Sequence, residues 1–218
     1  MWGERTRASR TAIGRACPVA ASVIALTIGL GPVHAQDMPA QISPTLSLQS
    51  RGGARPLDGW VEFCARVPSE CEVRPDEPAT IKLTPETWQI LARVTKQVNA
   101  TIKAMSDQRH WGVLDRWDLP DDGYGDCEDY QLLKRKLLAE EGLPRRAMRM
   151  TVVIDDLNEG HAVLTIRTDR GDFILDNRTD AVRPWHATRY TFIKREGDGN
   201  GAWVSLRSVP SPIRTATR

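Results

Sequence analysis

The chain has 218 residues and a formal net charge of +2, with 40% hydrophobic and 27% charged residues. This length and composition are those of a soluble globular protein with one domain or a small pair of domains and a sizeable core. Four arginines and one glutamate lie within residues 1–35, so the rest of the chain is almost neutral. The charge therefore gives no electrostatic basis for binding nucleic acid or an anionic membrane.

Residues 1–35 have the pattern of a secretory signal peptide. A basic segment precedes an apolar run at residues 19–30, and small residues at Val33 and Ala35 suit a signal-peptidase site. The apolar run is shorter than the roughly 20 residues of an ordinary membrane-spanning helix. We therefore predict export, with an uncleaved N-terminal anchor as the alternative.

The next segments are predicted to lead into one folded domain at residues 59–210, with a tail at residues 211–218. Residues 36–58 are rich in Ser, Gln, Pro and Gly and lack hydrophobic periodicity, which predicts a flexible, extended lead-in. Residues 59–76 are predicted to be irregular and to be held by a disulfide.

A core helix is predicted to begin at Thr84, whose hydroxyl suits the cap, with Pro85 in the first turn. Apolar side chains then recur at steps of three and four residues, which indicates one buried helix face. These side chains belong to Trp88, Leu91, Val94, Val98, Ile102 and Met105.

A second helix is predicted to begin after Asp126, a good N-cap residue, and to end near Gly142. Cys127 would then lie in its first turn. Unpaired backbone N–H groups and the positive end of the helix dipole stabilise a thiolate there, and the same amides can hold an oxyanion.

Three cysteines remain once the predicted signal peptide is removed. In an oxidising compartment Cys64 and Cys71 are the natural disulfide pair, because a short segment with a turn-forming proline separates them. Cys127 would then be a free thiol. An inert buried cysteine is the alternative, but the Asp, Glu and Gly neighbours of Cys127 match an apolar pocket poorly and favour a reactive thiol.

After residue 147 the hydrophobic period changes from about 3.6 residues to about two, which predicts strands. They are expected at residues 148–154, 161–167 and 172–176, followed by a hairpin of residues 190–194 and 202–206. Helices followed by an antiparallel sheet indicate the α+β class.

His161 and Asp176 are the candidates for activating Cys127, because a catalytic thiol needs a base and an orienting acid. His161 stands at the start of a predicted strand and Asp176 at the end of the next, so their strand ends should meet to within about a residue or two of register. The pattern predicts Cys127 as nucleophile, His161 as general base and then acid, and Asp176 as orienter. Taken singly, His161 also fits a half-buried strand histidine and Asp176 a turn-forming acid.

The chain resembles the bacterial transglutaminase-like cysteine peptidases, LapG-type periplasmic proteases among them, over residues 57–207. The segments that carry the resemblance are Gly125-Asp126-Cys127-Glu128-Asp129-Tyr130, Gly160-His161-Ala162-Val163-Leu164 and Leu175-Asp176-Asn177. It implies a papain-like, transglutaminase-type core, with the nucleophile at a helix N-terminus packed on an antiparallel sheet, and the same triad. It also implies a periplasmic protein that cuts a large surface adhesin near its N-terminus to control biofilm attachment, regulated by an inner-membrane cyclic-di-GMP receptor.

Acidic neighbours of Cys127 would raise the pKa of its thiol and oppose thiolate formation. A bound cation would offset this effect, and carboxylates, loop carbonyls and water suit calcium. Acidic residues also occur at helix N-termini for dipole reasons alone. The resemblance to LapG-type proteases, which require calcium beside the nucleophile, implies Asp126, Glu128 and Asp129 as ligands.

The sequence thus predicts an exported, calcium-dependent cysteine endopeptidase. One alternative keeps the triad but uses an amine in place of water, which would make the protein an acyltransferase or amidase. The other alternative is a catalytically silent, calcium-responsive periplasmic binding module.

Overall fold

The computed structural model describes residues 47–199 and 201–206. The predicted signal peptide at residues 1–35, residues 36–46 of the predicted lead-in and the predicted tail at residues 211–218 lie outside these ranges. Within the described ranges, no helix has both the length and the apolar character needed to cross a membrane.

The described residues contain a main sheet of seven strands in the order β1-β9-β8-β4-β5-β6-β7, and all neighbouring strands in it are antiparallel. A separate parallel pair joins β2 to β3. In chain order the strands are β1 (Gly53–Ala54), β2 (Lys103–Ala104), β3 (Tyr124–Gly125), β4 (Met148–Ile154), β5 (Gly160–Thr168), β6 (Gly171–Leu175), β7 (Arg183–Pro184), β8 (Thr191–Glu196) and β9 (Trp203–Ser205).

Most of the helical structure precedes the long strands. The α-helices are α1 (Asp58–Arg66), α2 (Pro68–Cys71), α3 (Pro85–Thr101), α4 (Asp107–His110) and α5 (Cys127–Glu140), and short 3-10 helices occur at Arg145–Ala147 and Trp185–Ala187. Helices α3 and α5 contact each other, and α5 packs on β5. This architecture confirms the predicted α+β class.

The central strands are covered on both faces. One face of β4, β5 and β6 joins side chains of α1, α3 and α5 in the main core, which includes Met150, Leu164 and Leu175. The opposite face forms a smaller cluster that includes Val153, Val163, Ile174 and Phe192. The three strands are therefore almost wholly buried.

Helix α3 begins as its sequence predicts. The Thr84 hydroxyl accepts a hydrogen bond from the Thr87 N–H (3.2 Å), and the predicted apolar face from Trp88 to Val98 is buried. The helix ends earlier than the apolar periodicity suggests, because Ile102 already has extended backbone. Met105 lies beyond it, where its N–H donates to the Gly125 carbonyl beside the β2 and β3 pair.

The segment predicted to be irregular at residues 59–76 instead forms α1 and α2, joined by the expected Cys64–Cys71 disulfide. Trp60 and Phe63, three residues apart, are buried on one face of α1, and this burial stabilises a helix too short to show clear periodicity. The predicted lead-in also differs, because Gly53 pairs with Val204 at the edge of the sheet. Such pairing between distant residues leaves no local sequence signal.

Candidate active site

Cys127 is the first residue of α5, as predicted, with Asp126 as the N-cap. The Asp129 side chain reaches back and accepts a hydrogen bond from the Asp126 N–H (3.1 Å). A side chain at position 125 would place its Cβ 2.8 Å from the Asp129 Cβ, so this close turn requires Gly125. The run of glycine and acidic residues around the thiol is thus a compact helix start.

The Cys127 thiol is buried between α5 and the beginning of β5, and Cys127 is the free cysteine of the described residues. The Ala162 N–H points at Cys127 Sγ (3.4 Å), and Ala162 directly follows His161. The thiol itself donates to Glu128 Oε2 (3.1 Å), and within the described residues it makes no hydrogen bond to His161. The predicted nucleophile and base are therefore neighbours across the α5 and β5 contact.

His161 and Asp176 meet at the end of the sheet, where His161 Nε2 lies 2.9 Å from Asp176 Oδ1. Burial raises the pKa of the Asp176 carboxyl, but the hydrogen bond and charge of His161 and the hydroxyl of Tyr190 outweigh it and lower the pKa to about 2. Asp176 is therefore ionised at neutral pH and can only accept. The contact therefore puts a proton on His161 Nε2, and in the neutral imidazole this leaves Nδ1 as the nitrogen that can accept one.

Further groups hold Asp176 in place. The Arg178 N–H donates to Asp176 Oδ1 (3.1 Å) and the Tyr190 hydroxyl donates to Oδ2 (2.5 Å). The backbone carbonyl of Asp176 accepts from Asn99 Nδ2 (3.0 Å) on α3 and from Lys134 Nζ (2.8 Å) on α5. Both core helices thus fix the position of the loop that follows β6.

A group of five carboxylates lies beside the thiol. Oxygens of Asp107, Asp126 and Asp129 lie within 4.8 Å of one another, and so do oxygens of Asp107, Asp115 and Glu128. Three buried oxygens in this group accept no hydrogen bond from the described residues: Asp107 Oδ1, Asp126 Oδ1 and Glu128 Oε1. Buried carboxylate oxygens without partners are what a cation site requires.

The acidic group opposes ionisation of the thiol. Burial raises the pKa of the Cys127 thiol well above its usual value, and the charges of Glu128 and Asp126 raise it further. Burial also raises the pKa values of the Glu128 and Asp129 carboxyls, and it raises that of Asp107 to about 7. A cation among these carboxylates would act in the opposite direction and lower the pKa of the thiol and of each carboxyl.

The structure pairs His161 with Asp176, groups Asp126, Glu128 and Asp129 with further carboxylates beside Cys127, and brings the backbone after His161 to the thiol. It also adds four residues to those that the sequence singled out. Asp107 and Asp115 extend the acidic group, and Arg178 and Tyr190 hold Asp176. For Asp107 and Asp115 the sequence gives no signal beyond the acidic composition of the polar segment that precedes Cys127. Asp122, another acidic residue upstream of Cys127, pairs with His110, whose Nε2 lies 2.7 Å from Asp122 Oδ2.

Comparison with known proteins adds independent findings. A family model described as bacterial transglutaminase-like cysteine proteinase BTLCP matches residues 50–210. No curated protein matches the chain. The chain is similar to a solved structure of Legionella pneumophila LapG with 25% identity and a TM-score of 0.47, covering 58% of this chain and 71% of that one. It is also similar to calcium-bound LapG from the same organism, with 24% identity and a TM-score of 0.48, covering 61% of this chain and 76% of that one.

Proposed function

The chain belongs to the bacterial transglutaminase-like cysteine proteinases, and we propose that it is an exported, calcium-dependent endopeptidase whose triad is Cys127, His161 and Asp176. The family match confirms the predicted enzyme class, a cysteine peptidase that acts on protein. The finer proposal is carried by one observation: His161 Nε2 lies 2.9 Å from Asp176 Oδ1, while the residue after His161 contacts Cys127 Sγ.

The proposed reaction uses the free Nδ1 of His161 as the base. Nδ1 takes the proton of Cys127 Sγ, and the thiolate attacks the peptide carbonyl carbon to form a C–S bond and an oxyanion. N–H groups in the first turn of α5, that of Cys127 among them, stabilise the oxyanion. Collapse breaks the C–N bond, and the imidazolium protonates the leaving amine. Water deprotonated by His161 then adds to the thioester carbonyl carbon, the C–S bond breaks to release the acid product, and the imidazolium returns its proton to Cys127 Sγ.

Calcium fits the acidic group beside the thiol. Calcium takes about six to eight oxygen ligands, and this group offers three buried carboxylate oxygens that lack hydrogen-bond partners within the described residues. We assign Asp126, Glu128 and Asp129 to the site, as the sequence resemblance implies, and add Asp107 and Asp115 from their positions. When bound, calcium would balance the negative charge around Cys127 and so favour the thiolate.

The location and target are proposed from the sequence. The signal-peptide pattern of residues 1–35 supports export, and we place the mature protein in the periplasm. The resemblance to LapG-type proteases supports a large surface adhesin as substrate, cut near its N-terminus to control biofilm attachment. It also supports an inner-membrane cyclic-di-GMP receptor as the regulatory partner.

The proposal is tested by incubating surface-protein extract of the source cells with wild-type protein or Cys127→Ala, each with calcium or with a chelator. Sequencing of new N-termini should show cuts only with wild-type protein and calcium. Cuts by Cys127→Ala, or none by wild-type protein, would refute the proposal. A labelled amine added in parallel checks the acyltransferase alternative, which predicts amine incorporation without new N-termini.

A further inference from the structure

Tyr190 contacts both the acid and the base of the proposed triad. Its hydroxyl donates to Asp176 Oδ2 (2.5 Å), whereas His161 Nε2 bonds the other carboxylate oxygen, Oδ1 (2.9 Å). The rings of Tyr190 and His161 meet edge to face, with centroids 5.7 Å apart. We propose that Tyr190 is a positioning residue, which holds the Asp176 carboxylate so that Oδ1 faces the imidazole. This inference rests on the triad proposed above.

The need for such a residue follows from the freedom of an aspartate side chain. The terminal torsion of aspartate has a broad energy minimum, so a donor on one oxygen alone leaves the carboxylate plane loosely defined. Oδ1 is held by His161 and by the N–H of Arg178, two residues along the same turn. Oδ2 is held by Tyr190, which immediately precedes β8, a strand separated from β6 by β4 and β5. Donors from both directions thus fix the plane.

The phenol is suited to a permanent donor role. Burial and the neighbouring charge of Asp176 raise the pKa of Tyr190 above its ordinary value, so the hydroxyl keeps its proton across the neutral range. The ring packs against the smaller core cluster, on the sheet face that carries Val163 and Phe192. A phenylalanine at this position would keep that packing and lose only the donor.

Substrate binding by the Tyr190 hydroxyl is an alternative role, and experiment must distinguish it from the positioning of Asp176. Tyr190 and Asp176 also line an open cleft of about 310 Å³, together with Arg183 and Arg189. If the hydroxyl bound substrate in this cleft, its loss would raise KM. A positioning role predicts a fall in kcat with KM unchanged, because the hydroxyl would act through Asp176 and His161.

The test compares Tyr190→Phe with Tyr130→Phe in the calcium-loaded mature protein. Tyr130 is the matched control, because its buried hydroxyl also donates one hydrogen bond, to the Ile102 carbonyl (2.7 Å), and it does not touch Asp176. NMR of the 15N-labelled His161 ring reports which nitrogen carries the proton. The rate of Cys127 alkylation by iodoacetamide at pH 7 reports activation of the thiol without a substrate.

We expect wild-type protein and Tyr130→Phe to show the Nε2–H form of His161, and Tyr190→Phe to show a mixture of both tautomers. Alkylation of Tyr190→Phe should be roughly ten- to a hundredfold slower, the range expected for a lost hydrogen bond to a charged group. 3-Fluorotyrosine at position 190 retains a hydroxyl, which is a stronger hydrogen-bond donor than that of tyrosine. This variant should show the wild-type tautomer of His161 and the wild-type rate of Cys127 alkylation.

An unchanged tautomer and rate in Tyr190→Phe would overturn the inference. So would a raised KM with unchanged kcat on the substrate identified by N-terminal sequencing. Absence of the Nε2–H form from the wild-type protein would instead refute the proposed triad, so failure of the inference and failure of the triad give different results.

Discussion

His161 Nε2 and Asp176 Oδ1 lie 2.9 Å apart because of the register between β5 and β6. Leu164 pairs with Leu175, which brings Asp176 opposite Val163, two residues along β5 from His161. Side chains alternate between sheet faces, so His161 and Asp176 share one face as diagonal neighbours, within reach of each other. A shift of the register by one residue would move the carboxylate to the other face.

Replacing Asp176 by Asn should abolish most of the activity without unfolding the protein. The amide is uncharged and can donate to Nε2, which would favour the tautomer with Nδ1 protonated and unable to accept the thiol proton. In the serine-protease triad the equivalent change lowers kcat by about 10⁴, and we expect a loss of about 10³ to 10⁴ in the cleavage rate. Asp180→Asn, in the same loop, is the control and should retain activity.

Asp176 should also make stability depend on pH in acid. Its folded-state pKa of about 2 lies below the ordinary value of 3.8, so its contribution is present above pH 3.8 and is lost as pH falls to 2. We expect it to add about 2 kcal/mol to the free energy of unfolding at pH 7. Urea unfolding of wild-type protein and Asp176→Asn at several pH values between 7 and 2 measures this, and curves that stay parallel would contradict it.

Calcium should stabilise the folded protein, because it binds carboxylates that only folding brings together. At a free calcium concentration about 100 times Kd, the free energy of unfolding should rise by about 2.7 kcal/mol. Asp107→Asn should weaken this gain and raise the Kd measured by calorimetry. Asp121→Asn, at an exposed carboxylate outside the candidate ligand groups of the described residues, should match wild-type protein. Equal Kd values for both variants would remove Asp107 from the site.

Without calcium, stability should fall as pH rises from about 4 to 7. Burial raises the pKa of Asp107 to about 7 in the folded protein, so the folded state binds a proton that the unfolded state releases over this range. Thermal unfolding in chelator should therefore show a lower Tm at pH 7 than at pH 5, and saturating calcium should reduce the difference. A Tm that rises with pH in chelator would contradict this prediction.

Loss of the Cys64–Cys71 disulfide should affect stability and spare catalysis. The disulfide closes a short loop between α1 and α2, and its removal is expected to lower the free energy of unfolding by about 2 to 3 kcal/mol. The double variant Cys64→Ser/Cys71→Ser should still cleave substrate below its unfolding temperature. Cys127→Ser should show the opposite behaviour, with near wild-type stability and little cleavage. Loss of cleavage by the folded double variant would assign the disulfide a role in the site.

The start of α5 could be predicted from sequence because its signals are local. Asp126 is a cap residue directly before Cys127, and Gly142 adopts the positive φ that ends a helix. The alternation of apolar residues at 148–154 likewise predicts β4, the first long strand of the sheet. By contrast, the sequence does not predict α1, because this short helix has no regular hydrophobic pattern and is stabilised by the burial of Trp60 and Phe63.

By itself the sequence determined where the two core helices begin, at the caps Thr84 and Asp126, the antiparallel order of the long strands, the free thiol at Cys127 and the family. Capping, periodicity and cysteine pairing act between residues close along the chain, so they are visible there. Only the tertiary structure decided that Asp107 joins the acidic group and that Tyr190 holds Asp176. Those contacts depend on strand register and on the packing of loops against α5, which bring together residues that are far apart in sequence.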